Sequence, residues 1–173
     1  MKKYAINIML VLALSLLLIL SSGCASAQGS EDMPDEQYGF AVVLSVRVDA
    51  ILDNIHLLDR EMHELVPPDG VIFPAADVIA WEGESVFDVL HREMLQAGIH
   101  MAFRNTPFYD SAYITAINNI YEFDAGALSG WMYRVNGIFP GVGSSQYLLS
   151  PGDVIEWMYT LDLGRDIGYA GGW

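Results

Sequence analysis

The chain of 173 residues has a single cysteine, Cys24. No disulfide within the chain can hold the fold, so its stability must come from an apolar core, which a domain of this size can build. Lysine is nearly as scarce and stops at Lys3. Beyond Cys24 there are only 6 Arg against 22 Asp and Glu, leaving about −16. That charge disfavours nucleic acid and anionic membrane surfaces as partners, because both are polyanions. No apolar run is long enough for a comfortable transmembrane helix. Enzyme signatures are absent as well. Gly141-Val142-Gly143-Ser144-Ser145 falls short of a nucleophile elbow, and His63-Glu64 lacks a second histidine four residues on. There is no P-loop and no dinucleotide fingerprint, and an acylated Cys24 is no nucleophile. The chain is therefore expected not to be an enzyme.

What is present begins with a targeting segment. Lys2 and Lys3 precede an uncharged apolar run over residues 5–20, the pattern of a signal peptide. Two cleavage readings follow it. Leu20-Ser21-Ser22-Gly23-Cys24 has the form of a lipobox, which would make residues 1–23 the signal peptide and Cys24 the lipidated residue. Ala25-Ser26-Ala27 is an ordinary secretion site. The lipoprotein reading is favoured and implies a chain anchored to the outer face of the cell membrane; the other implies a secreted one. Residues 24–38 are small, acidic and Pro-containing, which predicts a flexible tether. Residues 39–173 then form one domain.

Within that domain, Val42, Leu44, Val46 and Val48 alternate with Val43, Ser45, Arg47 and Asp49, which predicts a strand over residues 40–51. Near-helical spacing of Leu52, Ile55, Leu58, Met62 and Leu65 predicts a helix over 52–66, broken by Pro67-Pro68-Asp69-Gly70. Two short strands, 71–73 and 77–81, are expected on either side of Pro74. Ser85 with Asp88 makes a capping box, Val86, Val89, Leu90, Met94 and Leu95 make an apolar face, and Gly98 supplies a left-handed stop. This is the clearest helix. Further strands are expected at 100–104, 113–120, 130–135 and 154–160. Asn136-Gly137 suits a type I′ turn leading to a return strand at Ile138-Phe139. The sum is an α+β fold, mostly antiparallel sheet with one main helix packed on it.

Candidate binding groups are few. His56, Asp59 and His63 would share a face of the 52–66 helix, but a solvated acidic helix explains them better than a metal site. Asp162 and Asp166 lack the D-x-D-x-D series of a calcium loop and read as a charged turn. No metal site is expected. Aromatics gather in the C-terminal half. Trp131, Tyr133 and Val135 share one face of their strand, as do Trp157 and Tyr159 of theirs. Core packing accounts for most of these rings; a second set beside the Gly-rich loop would suit a large planar ligand or a partner protein.

Several blocks together carry a family resemblance: Glu82-Gly83-Glu84-Ser85-Val86-Phe87-Asp88-Val89-Leu90, Tyr113-Ile114-Thr115-Ala116-Ile117-Asn118, Ser129-Gly130-Trp131-Met132-Tyr133-Arg134-Val135-Asn136-Gly137, Gly143-Ser144-Ser145-Gln146-Tyr147, and Gly152-Asp153-Val154-Ile155-Glu156-Trp157-Met158-Tyr159-Thr160. In this order and spacing they resemble the transcobalamin-like C-terminal domain family of bacterial surface lipoproteins, over residues 40–168. The resemblance implies a β-grasp-like fold that closes over one side of a corrinoid. Trp131, Tyr133, Gly143 and Tyr147 become the candidate ligand contacts and cobalamin the candidate ligand, with no covalent cofactor. The competing expectation is a cell-surface structural or protein-interaction module.

Overall fold

The computed structural model describes residues 38–106 and 111–171. The expected signal peptide, Cys24 and all of the tether except Tyr38 lie outside them. The chain opens with a hairpin of β1 (Gly39–Arg47) and β2 (Val71–Trp81), and its last strand, β7 (Val154–Thr160), pairs parallel with β1. β6 (Gly130–Val135) adds antiparallel to β7, giving the order β2-β1-β7-β6. A second, three-stranded antiparallel sheet is built from β3 (Met101–Thr106), β4 (Ser111–Ile117) and β5 (Ile120–Tyr121). A parallel pair at the centre, flanked by antiparallel strands and covered by one helix, is a β-grasp-like α+β arrangement.

Binary patterning explains the core. Val42, Leu44 and Val46 of β1 share a face with Ile155, Trp157 and Tyr159 of β7, and all six are buried. The main helix lays Val86, Val89, Leu90 and Met94 into the same core. Leu95, expected on that apolar face, is instead 73% exposed. A stripe of residues 86, 89, 90 and 94 already closes one face at 3.6 residues per turn, and residue 95 falls outside it.

The region after β1 departs from expectation. In place of a helix over 52–66 there is a one-turn helix α1 (Asp49–Leu52) and two 3₁₀ segments, Ile55–Leu57 and Arg60–Leu65. Leu58 between the latter is extended and buried, and Ile51 and Val66 at either end are buried as well. Dipping into the core at three separate points prevents a continuous helix. None of the three segments has a side-chain cap. His56 and His63 consequently share no helix face; His63 bonds the Leu58 carbonyl at 3.1 Å.

Three smaller differences have equally local causes. The first strand ends at Arg47, before Asp49 starts α1. The two strands expected around Pro74 are one strand, with a register shift where the proline falls. An edge strand tolerates this, since a missing N–H there breaks no ladder. After Asn136 and Gly137, both at positive φ (53° and 78°), no return strand forms. Only a Val135–Ile138 bridge follows. Asn136 instead bonds Val154 through its backbone N–H and its side-chain oxygen, both at 2.9 Å, which joins β6 to β7.

Candidate functional site

The β6–β7 register sets tyrosines and tryptophans opposite one another. Trp131 faces Tyr159, Tyr133 faces Trp157, and Val135 faces Ile155. The first pair meets edge to face with ring centroids 5.2 Å apart, and the second stacks at 5.2 Å. Such cross-strand ring pairs rank among the stronger contacts on a sheet face. Beside this ladder lies a recess of about 650 Å³. Its walls come from β4, from the ladder and from the loop after Asn136, with Tyr169 and the end of β3 at its rim.

Two anchorages hold that loop in place. At the helix entrance, Val86 N–H donates to the Tyr147 carbonyl at 3.0 Å and Phe87 N–H to the Ser144 carbonyl at 3.1 Å. The Ser85–Asp88 capping box occupies the next donor. Amides that an α-helix leaves unpaired at its start are thus used to fix the loop. At the other side, Ser145 Oγ accepts from Ala112 N–H at 3.0 Å, and Gly143 presses against Ser111.

Three of the four residues singled out from the sequence line the recess: Trp131, Tyr133 and Gly143. Trp131 is 6% exposed, and its indole N–H is already used, donating to the Ile120 carbonyl at 2.9 Å. It offers ring surface and no free polar group. Tyr133 is half-buried and donates its hydroxyl to the Val142 carbonyl at 2.9 Å, closing the loop over the ladder. Burial pushes its phenol above the ordinary tyrosine range. Tyr147 is not part of the wall. Its ring sits edge-on behind Tyr133 at 6.5 Å, and its role is carried by the backbone carbonyl that caps the helix.

Two groups were not singled out from sequence. Arg104 places its guanidinium 4.6 Å from the Tyr113 ring centroid and 3.2 Å from the Glu122 carboxylate, which is largely buried. It is the one cation on the wall among the described residues. Burial, and then the neighbouring Glu122, push the Tyr113 phenol up to about 12. The second group is Trp157, 2% exposed, whose indole N–H has no acceptor. An unmet buried donor costs about 1–3 kcal/mol. Only the β6–β7 register brings Trp157 against Tyr133, and spacing along one strand carries no sign of it. Asp162 and Asp166 lie elsewhere, in the turn after β7. Asp162 pairs with Arg165, and Asp166 accepts from Thr160 and Leu161.

The wall is thus mostly aromatic and aliphatic, with hydroxyls, an amide and one guanidinium at intervals. Among the described residues it carries neither histidine nor carboxylate. Fold and recess together define a β-grasp-like domain with an aromatic-walled hollow. Residues 83–160 match the model of a family described as "Domain of unknown function (DUF4430)". A search of curated proteins found no match. Among solved structures the fold is similar to haptocorrin, crystallised in complex with Cbi, at 17% identity and a TM-score of 0.54. The likeness covers 82% of this chain and 29% of haptocorrin, so the chain spans under a third of that protein's length. A weaker likeness links 70% of the chain to 96% of a protein from Ruminococcus gnavus ATCC 29149, at 14% identity and a TM-score of 0.42.

Proposed function

We propose that this chain is a non-enzymatic binding protein working outside the cytoplasm, lipid-anchored at Cys24, whose recess takes a large, flat ligand, cobalamin or a related corrinoid. The observation that carries this reading is the recess itself. Its volume falls within the range of small-molecule sites, and its apolar rings with a few polar groups match their usual lining. The shared fold with haptocorrin, whose structure holds Cbi, supports the choice of ligand class. Trp131 and Tyr133 would supply ring contacts and Gly143 close backbone approach, with Tyr147 acting from behind.

Titrating the purified chain with cyanocobalamin while following tryptophan fluorescence tests the reading. Saturable quenching is expected. No saturable change up to about a millimolar, where binding is worth only about 4 kcal/mol, ends it. Cell fractionation tests the anchor: Cys24→Ala is expected to move the protein from the membrane to the soluble fraction.

A second reading, a surface protein-interaction module, draws on Ile138, Val142 and Leu148, which are 71%, 48% and 62% exposed between β6 and β7. Large apolar side chains left in solvent suit a protein partner. A stoichiometric protein complex from the cell envelope, formed without any corrinoid and lost on Ile138→Asp, would favour it.

A further inference from the structure

β6 ends the four-stranded sheet, with β7 on one side and no strand on the other among the described residues. Its register decides which main-chain groups face outward. Asn136 N–H bonds the Val154 carbonyl across to β7, and Arg134 and Met132 pair with β7 in the same phase. Alternation turns the main-chain N–H and C=O of Trp131, Tyr133 and Val135 the other way. Val135 shows this directly, exchanging bonds with Ile138 at 2.9 and 3.0 Å. That bridge closes one end of the outer edge and leaves it open at Trp131 and Tyr133.

The open stretch runs along the recess. Trp131, Met132 and Tyr133 all line it, although side chains of successive strand residues point to opposite faces. A hollow that meets three residues in a row follows the edge of their strand. Mostly apolar side chains stand on both sides of that edge. Tyr133 stacks on Trp157 on one face, while Met132 and Tyr169 meet beside Gly164 on the other.

We propose that the outer edge of β6 receives an extended peptide segment, which pairs with the main chain of Trp131 and Tyr133 and brings its C-terminal carboxylate to Arg104. Strand addition of this kind draws affinity from main-chain bonds and selectivity from pockets for alternate side chains. Charge sets the direction. Glu122 packs beside Gly130, its Cβ 3.8 Å from an ideal Cβ built there, and Arg104 lies 3.2 Å from the Glu122 carboxylate. The guanidinium therefore stands toward the Gly130 end of β6. A strand antiparallel to β6 ends there in a carboxylate, whereas a parallel one would begin there with an ammonium. The Arg104 side chain is 58% exposed, and its fork carries donors beyond the one facing Glu122. The occupant is thus the C-terminus of a protein or peptide with apolar or β-branched side chains. This goes beyond the corrinoid reading and stands without it.

The test adds acetyl-Val-Thr-Val-Thr-Val with a free C-terminus to the isotope-labelled full chain and follows amide exchange by NMR. Main-chain pairing is tolerant of sequence, so one β-prone probe suffices. Slowed exchange is expected at Trp131 and Tyr133, with little change at Met132 and Arg134, which already pair with β7. The fully N-methylated peptide, which has no N–H to pair, should give no protection. The C-terminal amide should bind about tenfold more weakly than the free acid. No protection at Trp131 and Tyr133 up to about a millimolar peptide, or equal protection by the N-methylated form, overturns the strand pairing. Equal affinity for acid and amide overturns the assignment of the C-terminus to Arg104. Cyanocobalamin quenching is read separately, so a chain that binds one probe and not the other tells the two readings apart.

Discussion

An ideal Cβ built on Gly143 would lie 2.5 Å from the Ser111 Cβ and closer still to its hydroxyl. The requirement for glycine here comes from contact between loop and strand, with no left-handed backbone involved. Gly143→Ala is expected to destabilise the fold by about 1–3 kcal/mol through overpacking, with Ser111→Gly in the same chain restoring part of the loss. Urea unfolding of the two variants checks this; wild-type stability in the single variant would mean the loop has room to move. The tyrosines make a second prediction at this scale. Tyr113 is pushed up to about 12, and Tyr133 and Tyr159 are also raised, burial being the first cause in each. Once unfolded, these phenols lose their protons near the ordinary value of 10. Between pH 10 and 12 the folded state therefore holds more protons than the unfolded one, and stability falls as pH rises. Below pH 10 this contribution is fully present. The urea midpoint should hold up to about pH 10 and drop above it as tyrosinate absorbance grows, and Tyr113→Phe should soften that drop.

The main helix α2 (Val86–Ala97) is joined to the recess by its first turn. Ser85 Oγ accepts from Asp88 N–H, and Asp88 Oδ2 accepts in return from Ser85 N–H at 2.9 Å, while Val86 and Phe87 donate to the loop carbonyls. The capping motif that marked the helix in the sequence is therefore also the seat of the cavity loop. Ser85→Ala is expected to cost about 1–2 kcal/mol. It should also raise amide hydrogen exchange at residues 144–147 more than at the helix C-terminus. Uniform exchange along the helix would show that loop and helix start are uncoupled. Arg92 acts on a different element. Its guanidinium bonds Glu84 and the Ile79 carbonyl, and Glu84 Oε2 accepts from Trp81 N–H at 2.9 Å. Together they cover one end of the β2 edge, as exposed strands usually require.

At the scale of the whole molecule, a formal charge of −14 in 173 residues means that the folded state gathers many more carboxylates than its arginines neutralise. Arg47, Arg92, Arg104, Arg134 and Arg165 are each already paired with a carboxylate. Residual self-repulsion is screened by salt. The thermal midpoint is expected to rise between low and physiological ionic strength in sodium chloride. A midpoint that falls would show that the arginine pairs outweigh the net repulsion.

Local chemistry alone determined much of this. The alternation that makes β1, the capping box and Gly98 that bound the main helix, the Asn136-Gly137 turn and the full extent of β6 and β7 were legible, because each depends on residues a few positions apart. Tertiary structure decided the rest. Residues 52–66 have near-helical spacing, yet Leu58 is drawn into the core in extended form, and burial of that side chain outweighs a marginal helical preference. Which aromatics meet depended on the β6–β7 register. That register set Trp157 against Tyr133 and left its N–H unmatched, while the bond from Val86 N–H to the Tyr147 carbonyl fixed that residue behind Tyr133. Strand pairing joins residues more than twenty positions apart, and no pattern within either strand specifies the partner.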